Sequence, residues 1–167
     1  MINTEAYEKY LLFSDQKLKL QTDNALNIFI NSFETIEEKI LWTKENISKI
    51  QVNNSSRIRF ELFNAIILPV LLIGYQRKEA FSLFWLARLV NNYYDNKEVL
   101  TEIHNKSPFE LLDEAYKIDR TNESIRKEII NEWIKFVTYS QHEWPSGILI
   151  GNNGGTIKEY VELKILK

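Results

Sequence analysis

Residues 22–50 read TDNALNIFINSFETIEEKILWTKENISKI and repeat apolar side chains at helical spacing. The apolar stripe comprises Leu26, Phe29, Ile30, Phe33, Ile36, Ile40, Leu41 and Ile47. The opposite side carries residues typical of a solvated face, namely Glu34, Glu38, Lys39 and Glu45. Thr22 or Asp23 is placed to cap the N-terminus. We therefore predict one amphipathic helix over this stretch.

Further helices are predicted on both sides of it. A shorter helix precedes it, with Tyr7, Tyr10, Leu11 and Leu18 as its apolar residues. A third helix is predicted from Arg57 to Ile73, kinked near Pro69 and ended by Gly74. The fourth, within RKEAFSLFWLARLVNNYY (77–94), is apolar nearly all round and should lie at the centre of the fold. The short link between the third and fourth predicts an antiparallel hairpin.

Two more helices follow. In SPFELLDEAYKI (107–118), Ser107, Pro108 and Glu110 have the spacing of a capping box with proline at the first helical position. A long helix is expected from Asn122 to Ser140. We predict an all-α fold: a single domain over residues 1–167, with about six to seven helices packed as antiparallel hairpins.

A local resemblance accompanies these last helices. AYKIDRTNESIRKEI (115–129) resembles the helix–turn–helix joint of a tetratricopeptide repeat, with Ala115, Asp119 and Asn122 in the matching places. Arg120 stands where that family often has proline, and no 34-residue repeat is found elsewhere in the chain. Over residues 107–138 the resemblance implies a helical hairpin, and it implies peptide or protein binding rather than catalysis.

The C-terminal segment 156–167 fits two structures. Ile157, Tyr160, Val161 and Ile165 suit a helix. Val161, Leu163 and Ile165 alternate with charged residues as in a strand, and Asn153-Gly154 is a hairpin signal. A lone two-stranded hairpin is marginally stable, so a closing helix is favoured.

The loop QHEWPSGILIGNNGG (141–155) holds four of the five glycines. We interpret them as turn residues, with Trp144 either covering the core or anchoring a partner. His142 and Glu143 do not form HExxH, because Ser146 stands four residues after the histidine. The other histidine, His104, follows Glu102 by two residues, a spacing that separates side chains on a helix. No metal site and no cofactor are expected.

Composition excludes several classes of function. The chain has no cysteine, which rules out disulfides, thiolate metal sites and cysteine nucleophiles. Its net charge is −2 and its lysines and arginines are not clustered, so we expect no nucleic-acid partner. The apolar run AIILPVLLI (65–73) is far shorter than the roughly 20 residues of a membrane span. We expect no signal peptide, no membrane association and a cytoplasmic location.

Three arginines lie beside or within the most apolar helices, and they are Arg57, Arg59 and Arg88. An arginine in such a place pairs with a carboxylate or stacks on an aromatic ring, and Glu61 and Glu79 are available for pairing. The functional alternative is that these arginines bind an anionic ligand or a partner's carboxylate.

The sequence favours a non-catalytic helical protein that binds another protein, in a specific version an immunity-type or antitoxin-type inhibitor of a toxin. Two acidic faces would steer toward a basic partner, and they comprise Glu34, Glu37 and Glu38, and Asp113, Glu114 and Glu123. The alternative is an enzyme or small-ligand protein with a pocket near His142, Glu143, the arginines and the Trp144–Gly155 loop. The oligomeric state is left open.

Overall fold

A computed structural model describes residues 2–50 and 58–143, with the side chains of the last helix described as far as Tyr139. The chain divides into two compact units, Met1–Asp119 and Arg120–Lys167, and a single domain over 1–167 stays a prediction. The all-α prediction is confirmed, since the described ranges contain helices and no strand. They form eight helices when segments that run on without a break are counted together.

The first unit contains α1 (Thr4–Asp15), α2 (Lys19–Ile30), α3 (Ile36–Asn46), α4 (Phe60–Leu62), α5 (Leu68–Gln76), α6 (Ala80–Arg88), α7 (Lys97–Glu102) and α8 (Pro108–Ile118). A π-helical turn, Phe63–Ile67, joins α4 to α5 without a break, and short 3-10 turns follow α3 and α6. The second unit contains α9 (Glu123–Glu143). None of the helices in the described ranges combines the length and apolarity that a membrane span needs.

The single helix predicted over residues 22–50 is wrong, because the chain breaks between α2 and α3. Thr35 caps α3 by accepting a hydrogen bond from the Glu38 N–H at 3.2 Å, and Glu38 Oε2 accepts from the Glu34 N–H at 2.8 Å. The predicted cap is also wrong. Thr22 lies buried inside α2, where its hydroxyl donates to the Leu18 carbonyl at 2.8 Å.

In α3 the predicted apolar stripe is partly correct, since Ile36 and Ile40 are half-buried and Ile47, directly after the helix, is buried. Leu41 was expected inside the core, but its side chain is 59% exposed. Trp42 is buried instead, and it packs against Tyr7, Phe29 and Phe33 with ring centroids 5.1 to 6.0 Å away. The aromatic cluster thus joins α1, α2 and α3, with Leu41 left on the outside.

The irregularity predicted near Pro69 is the π-helical turn immediately before α5. Because Pro69 has no N–H, the carbonyl four residues earlier, that of Ala65, lacks its ordinary helical donor. Lys39 of α3 supplies a donor, with its Nζ 2.9 Å from the Ala65 oxygen. Lys39 was assigned to a solvated face and instead ties α3 to the proline-containing helix.

Gly74 does not end the third helix as predicted, because α5 continues to Gln76. Gly74 is buried, and a Cβ at this position would clash with the side chain of Ser82 on α6. Its role is therefore the close approach of α5 and α6. The two helices pack against each other across the short link Arg77–Glu79, as predicted for a helical hairpin.

Non-glycine residues in the left-handed region close three helices. Lys17, Lys78 and His104 have φ values of 58°, 55° and 58°. Each sits at the position where a Schellman motif usually has glycine, and the paired hydrogen bonds of that motif are present at all three ends. At the end of α5, for example, the Lys78 N–H donates to the Tyr75 carbonyl and the Glu79 N–H to the Gly74 carbonyl.

The centre of the first unit is α6, as its all-round apolar sequence predicted. Every residue from Ser82 to Ala87 is buried. α5 and α8 both pack against α6. The capping box of α8 is confirmed, since the Ser107 hydroxyl accepts from the Glu110 N–H and the Glu110 carboxylate accepts from the Ser107 N–H.

The helices that flank the tetratricopeptide-like joint are present. α8 ends at Ile118, and the Asn122 carboxamide oxygen caps α9 by accepting from the Ser124 and Ile125 N–H groups. Asp119 and Arg120 separate the two compact units, and each unit is described by itself. The hairpin geometry that the resemblance implies therefore stays a prediction.

Replacing Gly74 with alanine should destabilise the protein. Overpacking at the α5–α6 contact should lower the free energy of unfolding by about 1–3 kcal/mol, although alanine is the better helix former. The Ser82→Ala change should restore part of this loss, since it removes the nearest clashing atom, a buried hydroxyl without a hydrogen-bond partner among the described residues. Urea denaturation measures both, and an unchanged or higher stability of Gly74→Ala would contradict the close contact.

Replacing Lys17 with glycine should stabilise the protein. Glycine removes the steric cost of the left-handed conformation but gains entropy in the unfolded chain, so we expect a net increase of about 0.5–1 kcal/mol in the free energy of unfolding. The comparison variant is Lys19→Gly, which places glycine inside α2 and should lower that free energy by about 1 kcal/mol. If both variants were destabilised alike, the cap at Lys17 would not be left-handed.

Candidate functional site

The first predicted acidic face lies at the start of α3. Glu34 and Glu37 are exposed, whereas Glu38 is half-buried and one of its carboxylate oxygens accepts a hydrogen bond from the Glu34 N–H. Glu37 makes no ion pair with any residue in the described ranges. Glu38 thus serves the helix end, and Glu37 is free to face a partner.

Both lysines of α3 contact the rest of the first unit rather than solvent alone. Lys39 Nζ binds the Ala65 carbonyl, and Lys44 Nζ lies 3.0 Å from Glu79 Oε2 and 5.8 Å from the Phe81 ring centroid. Glu37, Leu41 and Glu45 follow one another at four-residue spacing, and all three are exposed. We call these three residues the α3 outer face. It presents an apolar side chain between two carboxylates.

The second predicted acidic face is largely neutralised by the chain's own lysines. Asp113 pairs with Lys117 at 2.6 Å, and Glu114 pairs with Lys106 at 2.7 Å. Glu123 lies in the second unit, 3.8 Å from Lys127. Each of these three carboxylates therefore has a lysine partner within its own unit, in contrast to Glu37 and Glu45.

Arg59 and Arg88 have partners within the first unit. Arg59 donates to Glu61 at 3.1 Å, as expected, and also to Asp23. The hydrogen bond from Arg59 lowers the pKa of the Glu61 carboxyl. Arg88 lies over the rings of Phe84 and Trp85, 5.6 and 5.2 Å from their centroids, which is the expected stacking.

The remaining predicted site residues fall at or beyond the limits of the described chain. Arg57, Trp144, the glycine-rich loop to Gly155 and the segment 156–167 lie outside the described residues. His142 and Glu143 belong to the last turn of α9, but their side chains lie outside the described part. The pocket predicted around them stays a prediction.

A cleft that the sequence did not predict opens in the first unit, between α5, α6, α8 and the end of α7. Its volume is about 890 Å³, within the range of small-molecule sites. We call it the α5–α8 cleft. Its lining residues are Tyr75, Gln76, Lys78, Leu83, Glu102, His104, Lys106, Glu114, Lys117 and Ile118.

Two hydrogen bonds join the C-terminal ends of α5 and α7 at this cleft. The Tyr75 hydroxyl lies 3.1 Å from Nδ1 of His104, and Gln76 Nε2 donates to Glu102 Oε1 at 3.0 Å. Lys106 lies beside them, with its Nζ 5.1 Å from the Tyr75 ring centroid. These contacts fix the relative positions of the two helix ends and of the polar groups that they carry.

The charged groups of the cleft are unevenly paired. Glu114 compensates Lys106, and the resulting hydrogen bond raises the pKa of the lysine. Lys117 pairs with Asp113. Lys78 has no ion pair among the described residues, and Glu102 accepts a hydrogen bond only from the neutral Gln76. Among its described lining residues, the cleft therefore offers Lys78 as a cation and Glu102 as an anion without an ion-pair partner.

The earlier interpretation of Glu102 and His104 is wrong because it assumed that both lie on one helix. α7 ends at Glu102, and the left-handed turn at His104 brings both side chains to the same cleft. Helical spacing carries no signal for this arrangement. The partner of His104 is Tyr75, 29 positions away, and no local pattern links the two.

In the described part of the chain, no three histidine, aspartate or glutamate side chains are grouped so that they could hold a metal ion. Comparisons with models of known protein families, with curated proteins and with solved structures find no match for this chain. The α3 outer face and the α5–α8 cleft are the two described surfaces whose chemistry suggests a function.

Proposed function

We propose that the protein is a helical binding protein, not an enzyme, and that its α3 outer face docks on a basic surface of another protein. One observation carries the proposal. Leu41 is 59% exposed between Glu37 and Glu45, while both lysines of the same helix are engaged inside the unit. Neither carboxylate makes an ion pair with a described residue.

This arrangement suits protein recognition because its parts have different roles. An apolar side chain buried on binding supplies affinity, as hot-spot residues do at protein interfaces. Carboxylates at its rim raise the association rate with a basic partner and oppose acidic ones. Binding of this kind weakens as salt screens the charges.

A specific form of the proposal is an immunity-type or antitoxin-type inhibitor, which binds a toxin and covers its active site. The chain's small size and its net charge of −2 support this form. The partner would be the product of a neighbouring gene. We propose that the two proteins meet in the cytoplasm, for which a chain without cysteine is suited.

The alternative of a ligand pocket near His142 and the Trp144–Gly155 loop rests on side chains outside the described part, and it stays a prediction. The small-ligand alternative finds separate support in the α5–α8 cleft, whose described lining residues do not belong to the α3 outer face.

Charge reversal on α3 tests the proposal. With the product of a neighbouring gene as the partner, Glu37→Lys/Glu45→Lys should weaken binding at least about tenfold, mainly through a slower association rate. Leu41→Ala should weaken it by about 1–2 kcal/mol, mainly through faster dissociation. Surface plasmon resonance at several salt concentrations measures both rates.

The matched controls alter other exposed positions in the same way. Glu8→Lys/Glu98→Lys makes the same change in net charge, and Leu20→Ala removes a leucine that is 70% exposed. Both controls should bind like the unaltered protein. Equal losses in the α3 variants and the controls would refute the docking surface, and failure of every neighbouring product to form a complex would refute the immunity-type form.

A further inference from the structure

Two of the three left-handed helix ends place their side chains in the same cleft. Lys78 ends α5 and His104 ends α7, and both line the α5–α8 cleft, whereas Lys17 lies elsewhere. Glycine would satisfy these caps without the steric cost that a side chain brings. Residues held in unfavourable backbone conformations cluster at ligand sites, so these two positions direct attention to the cleft.

The Tyr75–His104 contact gives the histidine a defined donor. When the Tyr75 hydroxyl donates to Nδ1, the ring proton is carried by Nε2, which then is the free hydrogen-bond donor of the ring. Tyr75 is buried as a residue, and its ring lines the cleft. His104 itself is exposed and accessible to a ligand.

A cation and an anion, Lys78 and Glu102, both line this cleft without pairing with each other. Gln76, in the last turn of α5, binds Glu102, and Lys78 caps that same end of α5. Lys78 and Glu102 nevertheless do not come within the 4 Å of an ion pair. Leu83 and Ile118 add apolar surface, and the Ile118 side chain is 51% exposed.

We propose that the α5–α8 cleft binds an amino acid or short peptide with a large apolar side chain. Lys78 and the His104 Nε2–H would receive the carboxylate, and Glu102 would receive the ammonium group. The apolar side chain would cover Leu83 and Ile118. A ligand with both charges matches the cleft better than a simple anion, which Glu102 would repel, or a simple cation, which Lys78 would repel.

The volume of the cleft allows two kinds of ligand, a single amino acid or a dipeptide. A single aromatic amino acid occupies only part of about 890 Å³, so a dipeptide also fits. Both carry an ammonium group, a carboxylate and an apolar body. Titration with phenylalanine and with phenylalanyl-phenylalanine distinguishes the two ligands. The compound that binds more tightly shows whether the cleft accommodates an amino acid or a dipeptide.

Nuclear magnetic resonance of the full chain tests the charge requirement. Phenylalanine should bind with a Kd of about 1 mM, as expected for a ligand of this size, and should shift the amide signals of Lys78, Glu102 and His104. N-acetylphenylalanine, which lacks the ammonium group, and phenethylamine, which lacks the carboxylate, should each bind at least about fivefold more weakly. Equal affinity of all three compounds, or shifts confined to other helices, would overturn the proposal.

Glycine variants test the residues without unfolding the protein. Lys78→Gly should keep or raise the melting temperature, as Lys17→Gly should. His104→Gly should change it little, because relief of the left-handed backbone offsets loss of the hydrogen bond to Tyr75. Both variants should weaken phenylalanine binding at least about fivefold. Lys17→Gly is the matched control and should leave the Kd unchanged. If Lys78→Gly bound phenylalanine as the control does, the carboxylate site would be refuted.

Glu102→Gln completes the test. It should weaken phenylalanine binding to the level of N-acetylphenylalanine and leave the affinity for N-acetylphenylalanine unchanged or higher. A uniform loss for both compounds would contradict a specific role in binding the ammonium group. Binding here should be unaffected by Glu37→Lys/Glu45→Lys, so failure of this proposal and failure of the α3 outer face give different results.

Discussion

The close approach of α5 and α6 at Gly74 and Ser82 is the contact on which the first unit depends. It lets α6 bury every residue from Ser82 to Ala87 between neighbouring helices. With α5 held this close, the chain must turn within Arg77–Glu79, and the Glu79 N–H closes that turn on the Gly74 carbonyl itself. The absence of a side chain at Gly74 thus allows α5 to pack tightly on α6, and the Gly74 carbonyl accepts a hydrogen bond that ends α5.

The acidic character of the α3 outer face follows from what α3 supplies to this hairpin. Pro69 leaves the Ala65 carbonyl without a helical donor, and Lys39 provides one. Glu79, at the turn, takes Lys44 as its partner. Both lysines of the helix are therefore used within the unit, and its outward carboxylates, Glu37 and Glu45, have no ion-pair partner among the described residues. Packing requirements on one side of α3 thereby determine the electrostatics of the other.

Local sequence signals predicted much of the fold. The spacing of apolar residues could not predict where a helix breaks or where the backbone becomes left-handed. The Ser107–Glu110 capping box and the central position of α6 follow from nearby residues alone, and both are confirmed. Leu41 was misplaced because the break before Thr35 starts a new helix, in which Trp42 rather than Leu41 takes the buried position. His104 was dismissed because its left-handed backbone gives no periodic signal, and its partner Tyr75 is distant in sequence.

Glu79 connects the two surfaces to which functions are proposed. Its carboxylate pairs with Lys44 of α3, and its N–H closes the cap that holds Lys78 at the edge of the cleft. The turn Arg77–Glu79, which makes the α5–α6 hairpin, thus contacts α3 through the side chain of Glu79 and places Lys78 at the edge of the α5–α8 cleft.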